Sequence, residues 1–405
     1  MWCSASQSLN RSCLRFLSLP GDPMLLTEIN IAIPHLGQIN FGQIDFGQIL
    51  RDLKAVAPPQ VECPQTLVPN FDGLIIFGDS LSDPGNLLAL TGFFPPPPYS
   101  QGRFSNGDIW ADYLTDEIGL GAAQVQNFAV GGAKTGRGNG LNPLVSLLTG
   151  TEASLPGLLD QVDGYLDGLG ESAANADSLY VVWAGGNDLL NLPSDSAAIP
   201  DFLTSAVQNV SITIASLAER GADTFLVPTL PNLGLTPQTR RDGTSEQATA
   251  LSLAFNAELA ETLIALEQSP LFEIDIISVD LFELTTAIAS APAQFGFTNV
   301  TDPLIGQGGP NLNNPGFFWW DQLHPTTQTH ALLADVFQTS LVEAGYLVPG
   351  NSVIPTLATS DFALAGVAAP EGTLDSYCTG WQTPTADSLS PLQAASSADL
   401  AYQSF

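Results

Sequence analysis

Basic residues are scarce in this chain. Ten Lys and Arg stand against 41 Asp and Glu, a net charge of −31 over 405 residues. Binding to nucleic acid or to an anionic bilayer needs clustered Lys and Arg against phosphate. The densest basic site is the pair Arg240-Arg241, so the charge excludes both kinds of partner. Cysteine is limited to Cys3, Cys13, Cys63 and Cys378, with none between Phe71 and Gly350. No two of them have zinc-ligand spacing, so no structural metal is expected and any disulfide belongs to the flanks. A run of about twenty apolar residues is also missing, so no integral membrane span is expected. Arg11 and Arg15 precede only Phe16-Leu17-Ser18-Leu19-Pro20, too short for a convincing secretory signal. The acidity nevertheless fits an extracellular setting, and the chain is expected to be secreted or periplasmic. Nothing in the sequence sets an oligomeric state.

What is present is enough for a large core broken by many turns: 44% of residues are hydrophobic, with 37 Gly and 30 Pro. Three regions are expected. Residues 1–70 read as a leader containing the repeat G-Q-I-x-F, which runs from Gly37 to Ile49 and suits neither a helix nor a plain strand. Residues 350–405, rich in Ser, Thr, Ala, Pro and Gly, read as a low-complexity tail. Between them, over 71–349, short apolar strands at 74–77, 125–130, 179–184, 223–228 and 274–279 alternate with helices near 108–118, 157–168, 202–219, 246–267 and 326–345. Such alternation predicts an α/β fold, a parallel sheet covered by helices on both faces.

The chain is organised around Leu74-Ile75-Ile76-Phe77-Gly78-Asp79-Ser80-Leu81-Ser82-Asp83. A buried parallel strand ends there in a polar turn, and α/β folds place ligands at that edge of the sheet. Ser80 is a nucleophile if a base reaches it; alone, the stretch reads equally well as a helix cap. The bases on offer are few, since His35, His324 and His330 are the only histidines. His35 lies in the leader and His330 on a helix. His324 stands three residues after Asp321 in Trp319-Trp320-Asp321-Gln322-Leu323-His324-Pro325, so one turn brings a carboxylate to the imidazole. That is the orienting role of the acid in a serine triad, although Asp321 also reads as a cap for the next helix. Asn127-Phe128-Ala129-Val130-Gly131-Gly132-Ala133 and Trp183-Ala184-Gly185-Gly186-Asn187-Asp188 are strand ends with paired glycines. They offer backbone N–H groups and a side-chain amide to a developing oxyanion. Each alone is an ordinary turn.

Taken together and in order, these pieces, with Gly102-Arg103-Phe104-Ser105-Asn106-Gly107, resemble the GDSL lipase/esterase family of the SGNH hydrolase superfamily over about residues 71–347. The resemblance implies a flavodoxin-like three-layer α/β/α sandwich with a five-stranded parallel sheet. It implies ester hydrolysis by a triad of Ser80, His324 and Asp321. The oxyanion hole would come from the N–H of Ser80, from Gly132, five residues beyond Asn127, and from the amide of Asn187. No cofactor and no metal are implied.

The substrate is expected to be an acyl ester, lipid or small. Deacetylation of a glycan and acyl transfer to an alcohol use the same triad, and a non-catalytic binding protein on the same fold is the alternative from another class. Gly92-Phe93-Phe94-Pro95-Pro96-Pro97-Pro98-Tyr99 and Phe317-Phe318-Trp319-Trp320 are expected either to line an acyl groove or to serve as core. The stretch 136–156 reads as a lid or a variable connection.

Overall fold

The computed structural model describes residues 67–306, 312 and 314–349. The leader repeat, the C-terminal tail and all four cysteines lie outside the described residues.

Five strands form one parallel sheet: β2 (Gly73–Gly78), β3 (Val125–Asn127), β4 (Ser178–Trp183), β5 (Thr224–Pro228) and β6 (Asp275–Val279). Their order is β3-β2-β4-β5-β6, the flavodoxin-like arrangement 2-1-3-4-5. A short strand β1 (Leu67–Pro69) precedes them and pairs antiparallel with a last one, Leu347–Pro349. This ribbon begins four residues ahead of the domain boundary read from the sequence. A third small sheet pairs Asn299–Pro303 with Phe317–Trp319.

The sheet is covered on both faces because its central strands are apolar on both. Ile75, Phe77, Tyr180, Val182, Phe225 and Val227 enter one core with residues of the helices Leu158–Leu169, Ile199–Glu219 and Ser245–Glu267. Leu74, Ile76, Leu179, Val181, Trp183 and Leu226 enter the other, with Trp110–Glu117, Leu281–Ser290 and Thr327–Glu343. Alternation of period two thus sorts each strand's side chains between the layers. Within Ile199–Glu219, Leu203, Val207, Val210, Ile214 and Leu217 are the buried stripe, the helical spacing expected from the sequence.

Regular pairing of β3 ends at Asn127, short of the expected residue 130, although Phe128 N still donates to Ile76 O at 2.8 Å and Val130 N to Gly78 O at 3.2 Å. The Asn127 side chain takes over, its Oδ1 accepting from Ala129 N at 3.0 Å and its Nδ2 donating to Ser82 O at 2.8 Å. The chain is thereby bent towards the turn that follows β2. Helices absent from the sequence reading include the short or Pro-initiated Asn86–Thr91, Asn142–Thr149 and Pro237–Asp242, and the ten-residue Leu281–Ser290, which Asp280 caps by accepting from Glu283 N. The stretch 136–156 contains Asn142–Thr149, whose Val145 packs inward while Leu147 and Leu148 stay exposed. Among the described residues, Ser245–Glu267 alone has the length and apolarity of a membrane span. It lies on the sheet through Phe255, Leu259 and Leu263.

Phe337 joins the layers on the second face. It is fully buried and meets Trp110 edge-on at 5.0 Å and Trp183 at 5.9 Å. Phe337→Ala should therefore cost about 3–5 kcal/mol in urea unfolding; a loss under about 1 kcal/mol would show that this face collapses around the void.

Candidate active site

The strands β2 and β4 flank the point where strand order reverses, and both end in polar turns. After β2, Ser82 N donates to Asp79 O at 3.0 Å, which closes a turn around Ser80. Asp83 Oδ1 accepts the N–H groups of Gly85 and Asn86, and its Oδ2 accepts that of Leu87 at 3.1 Å, so it opens the helix Asn86–Thr91. Ser80 has no part in that cap. The same Asp83 Oδ2 accepts Gly131 N at 2.7 Å, tying the Asn127–Ala133 loop to the Ser80 turn.

Ser80 Oγ lies 2.9 Å from His324 Nε2, across 244 residues of sequence. His324 Nδ1 lies 2.7 Å from Asp321 Oδ2. The carboxylate only accepts, so Nδ1 carries the hydrogen and Nε2 is left to accept from the serine hydroxyl. All three residues are buried, each 6–7% exposed. Asp321 sits in a tight loop closed by Trp320 N donating to His324 O at 2.7 Å. Its Oδ1 accepts the N–H groups of Leu323 and His324 at 2.7 and 2.6 Å, and Tyr99 O–H donates to its Oδ2 at 2.7 Å. The helix that follows is capped by Thr326, whose side chain accepts from Thr329 N, so Asp321 is no helix cap. Burial alone would push the Asp321 carboxyl up. The His324 charge, the hydrogen bonds of His324 and the Tyr99 hydroxyl together hold it below the usual carboxylate range.

Asn187 stands two residues after Gly185, whose φ of +130° and contact with Phe255 leave no room for a side chain. Its Nδ2 donates to Ala133 O at 3.1 Å and to Asp79 Oδ2 at 3.3 Å. Gly132 has φ +78°, and a Cβ there would collide with Asn139 and Leu141. Among the described residues the N–H groups of Ser80 and Gly132 donate to no protein acceptor. Of the five residues singled out from the sequence, three are thus directly bonded to one another. Asn187 is linked to Ser80's neighbour Asp79, and Gly132 follows a residue tied to the same turn.

Three groups near the site had no part in the triad or oxyanion hole assigned from the sequence. Phe104 of the Gly102–Gly107 motif lays its ring 4.8 Å from that of His324, while Ser105 Oγ donates to Pro325 O and Asn106 Oδ1 accepts Thr327 N. That motif holds the His324 loop from outside. Tyr99 reaches Asp321 across 222 residues, a contact no local pattern announces. His330 is buried on the helix Thr327–Glu343 with Trp110 N donating to its Nδ1 at 3.3 Å. Burial brings it down to about 3, so it stays neutral.

A cavity of about 60 Å3 opens beside Ser80 and His324, walled by Trp183, Leu190, Leu233, Leu281, Phe318, Trp319 and Leu323 among others. Of the two aromatic segments, Phe318 and Trp319 line this pocket. Phe94 and Tyr99 pack instead in a separate cluster with Leu87, Phe104 and Val130. Among the described residues no group of His, Cys, Asp and Glu has the arrangement of a metal site.

A family model for GDSL-like lipase/acylhydrolase matches residues 74–337. The phosphatidylcholine-sterol acyltransferase of Aeromonas hydrophila is 28% identical over 329 residues, which cover 69% of this chain and 92% of that protein. A GDSL esterase/lipase of Arabidopsis thaliana is 26% identical over 332 residues, 67% of this chain and 88% of that one. Among solved structures, the acetylxylan esterase Axe2 of Geobacillus stearothermophilus aligns over 68% of this chain and 95% of its own, at 12% identity and a TM-score of 0.35.

Asp79 yields a test of the electrostatics. Burial, aided by nearby Asp188 and opposed by the Leu81 N–H and the His324 charge, raises its pKa from 3.8 to about 6. The folded state holds this proton more tightly than the unfolded chain. The associated stability is complete below pH 4 and is lost as pH rises to about 6. Two units correspond to roughly 3 kcal/mol. Asp79→Asn should raise Tm at pH 8, by about 2–4 °C per kcal/mol recovered, and the gain should fade below pH 4. A gain of the same size at both pH values would contradict this.

Proposed function

The chain belongs to the GDSL-like lipase/acylhydrolase family, whose model spans residues 74–337, and on that premise we propose that it is a serine carboxylester hydrolase acting through Ser80, His324, Asp321 and an acyl-enzyme. Ester-bond hydrolysis is the activity of the family. The observation that carries the finer reading is the continuous line from Ser80 Oγ to His324 Nε2 at 2.9 Å and from His324 Nδ1 to Asp321 Oδ2 at 2.7 Å.

His324 takes the hydroxyl proton as Ser80 Oγ attacks the ester carbonyl, and Asp321 stabilises the imidazolium that forms. Among the described residues the N–H groups of Ser80 and Gly132 have no protein acceptor to give up. The two backbone donors are fixed before the reaction and need no reorganisation when the charge appears, whereas Asn187 exchanges its long 3.3 Å bond to Asp79 for one to the oxyanion. His324 then protonates the leaving alcohol. Water, deprotonated by the same imidazole, attacks the acyl-enzyme and releases the acid. An alcohol in place of that water makes the second half an acyl transfer, on the same residues. The apolar wall of Leu190, Leu233, Leu281, Phe318 and Leu323 favours an acyl chain longer than acetyl, hence a lipid or aliphatic ester over an acetylated glycan.

A fluorophosphonate probe should label the wild type and leave Ser80→Ala unlabelled and inactive. On chromogenic esters, kcat/KM should rise from acetyl to medium acyl chains. Turnover in folded Ser80→Ala protein would sink the triad; a preference for acetyl, with acetate freed from acetylated polysaccharide, would sink the substrate class.

Asn187 separates an oxyanion donor from a turn residue. Loss of such a donor typically costs about 10²–10³ in kcat with KM little changed. Asn187→Ala should lose about a hundredfold or more while melting within a few degrees of wild type. Near-normal kcat with a much lower Tm would make the residue structural.

A further inference from the structure

We propose that Tyr99 is a positioning residue for the triad, its hydroxyl fixing the plane of the Asp321 carboxylate and, through it, the His324 ring. This rests on the reading of Ser80, His324 and Asp321 given above.

A carboxylate turns easily about its last bond, since that torsion has only broad, two-fold minima. In water such rotation costs nothing, but a buried carboxylate has about four acceptor sites to fill. Here all four are filled in a fixed pattern. Oδ1 takes the N–H groups of Leu323 and His324, while Oδ2 takes His324 Nδ1–H and Tyr99 O–H, both at 2.7 Å. The two bonds to Oδ1 come from the same short loop and move with it. The imidazole on Oδ2 is the group to be oriented and must gain and lose a charge in each cycle. Among the described residues, the Tyr99 hydroxyl is the one donor to this carboxylate that comes from another part of the chain. It therefore supplies the reference against which the ring is held.

The tyrosine is itself held firmly. It follows four prolines, Pro95–Pro98, whose fixed φ leaves the segment little freedom. Its ring meets Trp320 edge-on at 5.9 Å and 89°, and Phe104 at 6.0 Å and 66°. Phe104 in turn lies against the His324 ring at 4.8 Å. One residue outside the strand-end motifs thus reaches the histidine by two routes: through a hydrogen bond to its acid and through the ring that packs on its face. Removing the hydroxyl leaves the second route and breaks the first. An acceptor site on buried Oδ2 then goes unfilled, and the carboxylate is held only by its own loop and by the ring it has to orient.

The test is Tyr99→Phe, which keeps the ring, measured well below its melting temperature on a soluble chromogenic ester. The expected result is a fall in kcat of about tenfold, the size of one hydrogen bond to a charged group, with KM within about twofold and a fall in Tm of no more than about 6 °C. The same change in an Asp321→Asn background should alter kcat less than about twofold, because a residue that acts through Asp321 has nothing left to position. Unchanged kcat in Tyr99→Phe overturns the role. So does an equal loss in both backgrounds, which would mean that the hydroxyl acts independently of Asp321. Turnover that survives Ser80→Ala overturns the triad reading and this one with it, whereas labelled Ser80 with unaffected Tyr99→Phe overturns only the role of Tyr99.

Discussion

A buried carboxylate is tolerated only when donors surround it, and that demand builds this site. Asp83 accepts from Gly85, Asn86, Leu87 and Gly131, which ties the loop after β3 to the turn after β2. Asp188 accepts the N–H and hydroxyl of Thr135 at 2.9 Å each, anchoring the next stretch of that loop beside Asn187. Asp321 collects four donors and closes the loop that bears His324. Asp79 is the least satisfied of these acids, with Leu81 N at 3.1 Å and the Asn187 amide at 3.3 Å. Loops that follow different strands are held in register by side chains that cannot be left unpaired. The strands bring them to one edge; the carboxylates set the final ångströms.

That division explains what was legible in the sequence. Strand existence followed from short apolar runs, because a parallel sheet buried on both faces must be apolar on both. The end of β3 was legible only in part: Phe128 N and Val130 N still bond to β2, as their apolar run suggests, but Asn127 Oδ1 takes the N–H of Ala129 and ends the regular strand. Ser80, His324, Asp321 and Asn187 stood out because each lies in a compact motif at a strand end. Phe104 was visible only as part of Gly102–Gly107, with no hint that its ring faces His324. Tyr99 was hidden, because a pairing across 222 residues leaves no periodicity and no spacing to read. Asp79 was in plain view, yet its raised pKa comes from burial, which the sequence does not display.

The ring contacts add a second kind of order. Tyr99, Phe104, Trp320 and His324 form a chain of edge and tilted contacts at 4.8–6.0 Å. Aromatic pairs of this kind are worth about 0.5–1.5 kcal/mol beyond their buried area, and they restrict tilt as well as position. Hydrogen bonds alone would let the imidazole rock about the line joining its two nitrogens. The ring of Phe104 opposes that motion.

The ribbon of Leu67–Pro69 on Leu347–Pro349 has a mechanical meaning. The strands are antiparallel, with Leu67 opposite Pro349, so the backbone enters and leaves the described residues side by side. A pull applied through the two flanking segments would load the ribbon's bonds one at a time, as a zipper opens, and not all together in shear. It would yield first, at low force, leaving the five-stranded sheet and the loops around Ser80 unstrained. The ribbon is thus a fuse between any tension on the chain and the geometry at its centre.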